Sequence, residues 1–451
     1  MEAAINTMTH EAFQHVIVGL GKTGLSVARY LSRQGQGFAV VDSRQSPPGM
    51  DELNRDYPDT LTHFGNFDTD LIAEAVQMIV SPGVSVHTPE IARAVKSGAE
   101  IVGDVELFAR AVTKPVIAIT GSNGKSTVTA LVGEMARAAG VETGVGGNIG
   151  TPALDLLDIT KAELFVLELS SFQLETTESL RPVAAVVLNL SADHMDRYED
   201  LDAYARAKGS IYHQAQVCIV NRDDPLASSL AHKPNPVSFG LDAPETDQDY
   251  GLIAINDEAW LVCGNKPIMK ASGIRMPGRH NTANVLAAMA LAAAAGIPLD
   301  VAAESARTFA GLAHRCEWVA ESNGVAWFND SKGTNVGATI AALNGLLQTV
   351  VLIAGGQGKG ADFSSLQAAV RNKARSVILF GEDAGLIEMA IKDVVPVERV
   401  ASLEEAVSLA ASKAQSGDAV LFSPACASFD MFSDYQQRGE TFVRLVKEVL
   451  S

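Results

Sequence analysis

Two glycines and a lysine followed by two hydroxyls stand together in Gly121-Ser122-Asn123-Gly124-Lys125-Ser126-Thr127, a combination suited to holding a chain of phosphates. Gly121 and Gly124 let the backbone turn its N–H groups inward, and the unpaired donors of a following helix start add partial positive charge. Lys125 would reach the outer phosphates, and Ser126 or Thr127 would place a hydroxyl on a phosphate-bound Mg²⁺. The loop is shorter than the usual phosphate-loop pattern, because Ile119 stands where its first glycine would fall. Residues 116–119 read as a buried strand, and Leu131, Met135 and Ala139 as the apolar face of a helix, so the loop has an element on each side.

A second glycine cluster, Gly19, Gly21 and Gly24, falls between a strand expected over residues 15–18 and a helical pattern through Leu25, Ala28 and Leu31. A strand over residues 38–41 follows and ends at Asp42. In that setting the glycines form a dinucleotide fingerprint: a diphosphate on the helix N-terminus and Asp42 meeting a sugar hydroxyl. Ser81-Pro82-Gly83, after a strand over 78–80, is either an ordinary turn or a second ligand loop at the same sheet edge. Glu168 ends the apolar run from Leu164, where a phosphate-loop enzyme holds magnesium; a helix cap or an ion pair is the plainer alternative. His194 follows a strand over 185–188 and reads either as a metal or metal-water ligand or as a histidine bonded to Asp193 or Asp196. Asn148 is flanked by Gly146, Gly147 and Gly150. Asn281 and Asn284 share one face at the start of an alanine-rich helix, where they could contact a base or cap the helix. Lys208, in YARAKGSIY, reads as one more surface lysine.

The elements that position these groups fill a chain of 451 residues, enough for about three domains with their own cores. The apolar fraction of 47 % fits a soluble globular protein, and a net charge of -18 without a basic stripe argues against nucleic acid as a partner. Cys218, Cys263, Cys316 and Cys426 are too scattered for a disulfide framework or a zinc site and read as reduced core thiols. The N-terminus lacks the basic and apolar regions of an export signal. The alanine-rich helix, read over 285–297, is too short for the roughly 20 residues that span a bilayer, so a cytoplasmic protein with no membrane insertion is expected. Beyond residue 312, strands over 326–328, 350–354, 377–380 and 419–422 alternate with helical stretches, implying another parallel α/β domain. Three of them end in polar loops: Asn329-Asp330-Ser331-Lys332-Gly333-Thr334-Asn335, Gly355-Gly356-Gln357-Gly358-Lys359-Gly360 and Ser423-Pro424-Ala425-Cys426-Ala427-Ser428-Phe429-Asp430. Clustered at one edge, they would make a site.

On GLGKTGLS, AITGSNGKSTVT, LELSSFQLE, DHMDRY, the pair His314-Arg315, NDSKGTN and SPACASFDMF, essentially the whole chain resembles the Mur ligase family, ATP-dependent amide-forming enzymes of peptidoglycan precursor synthesis. The short phosphate loop is the family's own form, and NDSKGTN and SPACAS with GLGKTG favour its D-glutamate-adding branch. The resemblance implies a three-domain α/β fold: a Rossmann-like UDP-substrate domain (1–104), a central P-loop-type ATP-binding domain with a mostly parallel sheet (105–311) and a C-terminal Rossmann-like amino-acid-binding domain (312–451). It implies that Gly21, Thr23, Asp42, Ser43, Arg44, Ser81, Pro82 and Gly83, with Asn148 from the central domain, hold the UDP part of UDP-N-acetylmuramoyl-L-alanine. ATP is expected on Gly121, Ser122, Asn123, Gly124, Lys125, Ser126 and Thr127, with Asn281 and Asn284 toward the adenine and Arg315 and Asp330 reaching in from the third domain. Two Mg²⁺ ions, replaceable by Mn²⁺, are expected on Ser126, Glu168, His194 and a CO₂-derived carbamate of Lys208. An ammonium beside Mg²⁺ would be repelled, whereas a carbamate is an anionic oxygen ligand. D-Glutamate is expected at Thr334, Lys359, Ser428, Phe429 and Tyr435. Lys332 belongs near the reacting phosphate and makes up the catalytic set with Lys125, His194 and Lys208.

The implied reaction is phosphorylation of the alanyl carboxylate followed by attack of the glutamate amine, by a monomer. This sequence departs from the family pattern at Gln357, where an acid is expected, at Phe429 and Tyr435, where relatives often carry Leu and Phe, and at Lys22, where an apolar residue is expected. A nicotinamide-dependent oxidoreductase would explain the first glycine cluster but not GSNGKST or NDSKGTN. A nucleotide switch would leave the Lys332 and Lys359 loops without a task.

Overall fold

The computed structural model describes residues 14–195, 197–276 and 278–450. The N-terminal stretch read for an export signal and Asp196, one of the two acids offered as a partner for His194, lie outside them. Among the described residues the strands form three sheets. The first contains β1 (His15–Val18), β2 (Phe38–Asp42), β3 (Leu61–Phe64), β4 (Gln77–Val80) and β5 (Glu100–Val102), all parallel, in the order β3-β2-β1-β4-β5. The order reverses between β1 and β4, which opens a crevice at their carboxyl ends between the Gly19–Gly24 turn and Ser81-Pro82-Gly83.

The second sheet holds β6 (Val116–Thr120), β7 (Thr143–Gly147), β8 (Leu164–Glu168), β9 (Ala184–Val187), β10 (Val217–Asn221), β11 (Val237–Phe239), β12 (Tyr250–Ile255), β13 (Glu258–Cys263) and β14 (Lys266–Lys270). Their order is β14-β13-β12-β11-β10-β9-β6-β8-β7, so β6 lies between β9 and β8 and its loop faces the ends of both. β6 is apolar throughout because both faces are covered. Ile117 and Ile119 pack with Leu286 and Met289 of helix Arg279–Ala294, while Val116 and Ala118 join Phe165 and Leu167 on the other side. The third sheet, β15 (Glu317–Ser322), β16 (Val325–Asn329), β17 (Val350–Gly355), β18 (Ala374–Phe380), β19 (Val397–Arg399) and β20 (Ala419–Phe422), runs β15-β16-β20-β17-β18-β19. Adjacent β16, β20 and β17 deliver the three polar loops to one edge.

The sheets are mostly parallel, with antiparallel additions at their edges: β12 to β14 form a meander, and β15 pairs antiparallel with β16. The alternating pattern of the third domain implies a parallel sheet, which β16 to β20 form; β15 adds a half-exposed antiparallel edge strand whose pattern is too weak to announce itself. The alanine-rich helix spans Arg279–Ala294, with Asn281 and Asn284 near its start as read, and Gly278, at φ +99°, turns the chain into it. No helix among the described residues is long and apolar enough to cross a membrane. Cys218, Cys316 and Cys426 are buried as expected, whereas Cys263 is half-buried at the end of β13.

The first and second sheets are joined through a buried carboxylate. Glu106, in helix Asp104–Ala111, is 3 % exposed and accepts from the Glu178 N–H (2.8 Å), the Ser179 N–H (2.9 Å), the Ser179 hydroxyl (2.8 Å) and Arg110 Nε (2.8 Å). Across the same seam Arg29 meets Asp155 at 2.6 Å. Glu106→Ala leaves two backbone donors without acceptors and is expected to cost about 2–4 kcal/mol, read as a lower urea midpoint. An unchanged midpoint would show that the seam does not depend on this carboxylate.

Candidate active site

The crevice of the first sheet is a cavity of about 600 Å³. It is lined by Gly21, Thr23, Asp42, Ser43, Arg44, Ser81, Pro82 and Gly83, with Asn148 from the central sheet across the gap. Helix Lys22–Arg33 opens on Gly21 without a side-chain cap, so its first N–H groups stay available to an anion. Asp42 lines this cavity and is tied to the glycine turn. Its carboxylate takes the Leu20 N–H (2.7 Å), the Arg44 N–H (2.9 Å) and two guanidinium contacts from Arg44 (2.9 and 2.7 Å), so it shapes the glycine turn and holds Arg44 toward the cavity. Although burial opposes it, these hydrogen bonds keep the Asp42 carboxyl below its usual pKa. Lys22 lines the same cavity, so Lys22 and Arg44 set two cations beside it.

The phosphate loop sits between two smaller cavities. One, about 340 Å³, is lined by Asn123, Gly124, Thr127, Asn281, Asn284, Arg315, Asp330 and Lys332. Gly124 has φ +82°, and a Cβ there would lie 2.5 Å from the Asn284 side-chain oxygen, so any other residue would push the asparagine aside. Asn284 also donates to Asn281 at 3.1 Å, which orients both amides. Asp330 accepts from the Ser423 hydroxyl (2.7 Å) and the Cys316 N–H (3.1 Å), and burial pushes its pKa up to about 7. His280, which sequence reasoning passed over, lines this cavity, and burial lowers it to about 4.

The other cavity, about 250 Å³, gathers Ser122, Lys125, Ser126, Asn148, Glu168, His194, Arg315, Lys332, Thr334, Lys359, Ser428, Phe429 and Tyr435, so the central and third sheets both contribute to it. Lys125 donates to the Gly121 and Ser122 carbonyls at 2.8 and 2.9 Å. Arg315 crosses from the third sheet to the Ser126 hydroxyl at 2.5 Å. Lys332 lies 3.9 Å from the Tyr435 ring centroid, and burial, with Arg315 and Lys125 nearby, lowers it to about 8. Glu168 accepts from Asn148 through one oxygen at 2.7 Å, while its other oxygen is buried without a partner. An orphaned carboxylate oxygen beside a hydroxyl and an imidazole fits a Mg²⁺ site. Among the described residues no three His, Cys, Asp or Glu side chains could hold a metal by themselves, which suits an ion that takes its remaining oxygens from phosphate and water.

Gly121 and Lys208 line none of these three cavities. Lys208 is not a surface lysine: it is 2 % exposed and donates to the Gly121 carbonyl (3.0 Å) and Thr120 hydroxyl (3.3 Å) from behind the phosphate loop. Burial first, and the Lys125 charge second, push its pKa well below the usual value. A lysine at the end of an amphipathic-looking helix, Leu201–Gly209, carries no sequence sign of that burial.

Two more groups escaped the sequence. Asn335 caps helix Val336–Gly345 and also donates across to Asp193 (3.1 Å) and Asn123 (3.4 Å). The asparagine ahead of a helical run was a readable cap; its second task was not. Arg438, in helix Tyr435–Leu450, is 1 % exposed and ties two loops by donating to Ser331 O (2.8 Å), Ala427 O (3.0 Å) and Cys426 O (3.1 Å).

A phosphate loop between two cavities, a nucleotide-sized crevice and a third sheet closing over both describe an enzyme that brings two anionic substrates together, and comparison with known proteins places it. Residues 13–103 match the Mur ligase MurD-like N-terminal domain, 119–292 the Mur ligase middle domain and 314–426 the Mur ligase glutamate ligase domain. The chain belongs to the Mur ligase family. Among its relatives, the UDP-N-acetylmuramoylalanine–D-glutamate ligase of Nitrosococcus oceani is 53 % identical over 439 residues, covering 97 % of each chain. That of Marinobacter nauticus is 54 % identical over 442 residues, covering 96 % of this chain and 97 % of its own. The fold is also that of the UDP-N-acetylmuramate-alanine ligase of Thermotoga maritima, with a TM-score of 0.59 at 20 % identity over 96 % of this chain and 99 % of that one.

Lys22→Leu removes one of the two cations at the first cavity. Its UDP affinity is expected to fall about 2–5-fold and to lose part of its salt dependence, measured by calorimetry at two ionic strengths. Equal affinity at both would place Lys22 outside the anion's reach.

Proposed function

We propose that this protein joins the alanyl carboxylate of UDP-N-acetylmuramoyl-L-alanine to the amine of D-glutamate with cleavage of ATP to ADP and phosphate, a cytoplasmic step of peptidoglycan precursor synthesis. It is an ATP-dependent amide-bond ligase. The observation that carries the reading is the sharing of walls. Asn148 lines both the nucleotide crevice and the phosphate cavity, and Asn123, Gly124, Arg315 and Lys332 line both cavities flanking the phosphate loop. A UDP-linked carboxylate, an ATP and an amino acid can therefore meet at one point. The domains are 1–104 for the UDP substrate, 105–311 for ATP and 312–451 for the amino acid, in a monomer.

In the first half-reaction a carboxylate oxygen bonds to the γ-phosphorus while the bond to the β-phosphate oxygen breaks, giving an acyl phosphate and ADP. In the second, the amine of D-glutamate bonds to the acyl carbon, phosphate leaves, and the amine proton passes to solvent. Lys125, Lys332 and Arg315 converge where negative charge must be crowded together, which is the main barrier to the first step. Asn281 and Asn284 orient the base, and Thr334, Lys359, Ser428, Phe429 and Tyr435 receive the amino acid. The third domain excludes water from the acyl phosphate. Ser126, Glu168 and His194 hold Mg²⁺, which when bound neutralises phosphate charge; two ions are expected, with Mn²⁺ as a substitute. Lys208, buried and with a depressed pKa, has the neutral amine that adds CO₂, and the resulting carbamate supplies an anion behind the phosphate loop.

Release of ADP and phosphate with ATP and Mg²⁺ is expected to require both UDP-N-acetylmuramoyl-L-alanine and D-glutamate, and to be lost with L-glutamate. Turnover indifferent to either acceptor would overturn the ligase reading. For the carbamate, protein equilibrated with ¹³C-bicarbonate is expected to give one carbamate ¹³C resonance that is missing from Lys208→Arg. The same resonance in the variant, or none in the wild type, would remove the modification from this residue.

A further inference from the structure

One residue reaches the wall of the first-sheet crevice with its side chain and the His194 turn, which lines the phosphate cavity, with its backbone. Arg197 follows the turn that carries His194, and its side chain is 16 % exposed. Its Nη1 donates to the Pro82 carbonyl at 2.8 Å and its Nη2 to the Val84 carbonyl at 3.1 Å, so the guanidinium grips the first-domain loop from outside that domain. Nη2 also meets Glu175 at 3.4 Å, and the guanidinium carbon lies 4.0 Å from the centroid of Phe172.

Phe172 passes the contact on. Its ring meets the edge of the His194 ring, with centroids 4.9 Å apart, and stacks on Tyr198 at 5.9 Å. The Tyr198 hydroxyl donates to Glu175, and its ring packs edge-on against Tyr204 at 5.2 Å. The Tyr204 hydroxyl lies 3.3 Å from the Ser122 hydroxyl of the phosphate loop. The backbone adds a second link. The Arg197 N–H donates to the His194 carbonyl at 2.9 Å and the Tyr198 N–H to the same oxygen at 3.2 Å, closing a turn in which His194 takes φ +58°. A left-handed conformation at a non-glycine residue is held only by such surroundings.

We infer that Arg197 is a positioning residue that couples occupancy of the nucleotide crevice to the order of the phosphate and metal site, an inference that rests on the function proposed above. A UDP group seated on Ser81-Pro82-Gly83 fixes the carbonyls that the guanidinium grips. The guanidinium then fixes Phe172 and Glu175, and through them the His194 ring and the Tyr204–Ser122 contact. The coupling is reciprocal: whichever ligand is seated first favours binding of the other. Lysine would keep the charge but lose the planar fork that reaches two carbonyls and a carboxylate while stacking on a ring.

UDP tests this without chemistry, because it fills the crevice yet lacks the acyl limb that reaches the γ-phosphate, so any coupling must pass through the protein. Calorimetry would give the affinity for the Mg²⁺ complex of the non-hydrolysable β,γ-imido analogue of ATP, with and without saturating UDP. In the wild type UDP is expected to tighten it on the order of 5-fold, and the analogue to tighten UDP by the same factor. Arg197→Lys and Phe172→Leu, which disturb the contact from opposite sides, are expected to bring that ratio to about one while each separate affinity stays within about 2-fold. A merely structural role would lower the separate affinities and leave the ratio standing. A ratio of one in the wild type, or an intact ratio in either folded variant, overturns the coupling even if the enzyme turns over. Failure of the wild type to bind UDP at all would instead strike the proposed function, and the coupling with it.

Discussion

Lys125 and Lys208 donate to the same backbone oxygen, the Gly121 carbonyl, from opposite sides of the phosphate loop. Two buried amines on one acceptor cannot both stay comfortably charged, and desolvation lowers both pKa values, Lys208 further because Lys125 adds its repulsion. Arg315 and Lys332 close in from the third sheet and add to the same excess of positive charge. The arrangement has a chemical sense only where anions arrive. Triphosphate and two carboxylates each relieve charge that the protein has concentrated in advance, so the electrostatic cost lies in the fold and not in the reacting complex.

Two sheet edges concentrate that charge, and a third opens toward them. β6 lies between β8 and β9, so the phosphate loop, Glu168 and the His194 turn emerge side by side. β20 lies between β16 and β17, which brings the Lys332, Lys359 and Ser428 loops together, and Arg438 ties two of them from beneath. β1 and β4 diverge at the switch point of the first sheet and open the nucleotide crevice toward Asn148. Each edge alone is an ordinary ligand site of a parallel sheet. Their convergence turns three binding sites into one reaction chamber.

The loops were legible in the sequence because glycine, lysine and hydroxyl residues after an apolar strand have few structural explanations. The parallel strands were legible because burial on both faces leaves an unbroken apolar run, as in β6 and β17. Lys208, Arg438 and Arg197 were not, because a basic residue on a helix or turn looks solvated until its neighbours are known. Burial of a cation is a property of the tertiary environment, and local pattern carries no trace of it. The strands of the antiparallel additions, β12 to β15, were silent for the opposite reason: half-exposed, they mix apolar and polar residues without a clean period.

Of the departures from the family pattern, Gln357 sits where the backbone, not the side chain, holds the shape. Gln357 exchanges two backbone hydrogen bonds with Ala427, at 3.0 and 2.8 Å, which lock the Lys359 loop to the Ser428 loop whatever side chain position 357 carries. The next residue is held as well: Asp383 accepts the Gly358 N–H at 2.7 Å. Tyr435 keeps the aromatic face beneath Lys332, where a phenyl ring would serve the same cation. Phe429, 66 % exposed at the cavity mouth, is held by no such partner and is the position where bulk alone can change what enters. Variation in this pocket is thus tolerated where a second group fixes the geometry. It becomes a matter of specificity only at the rim.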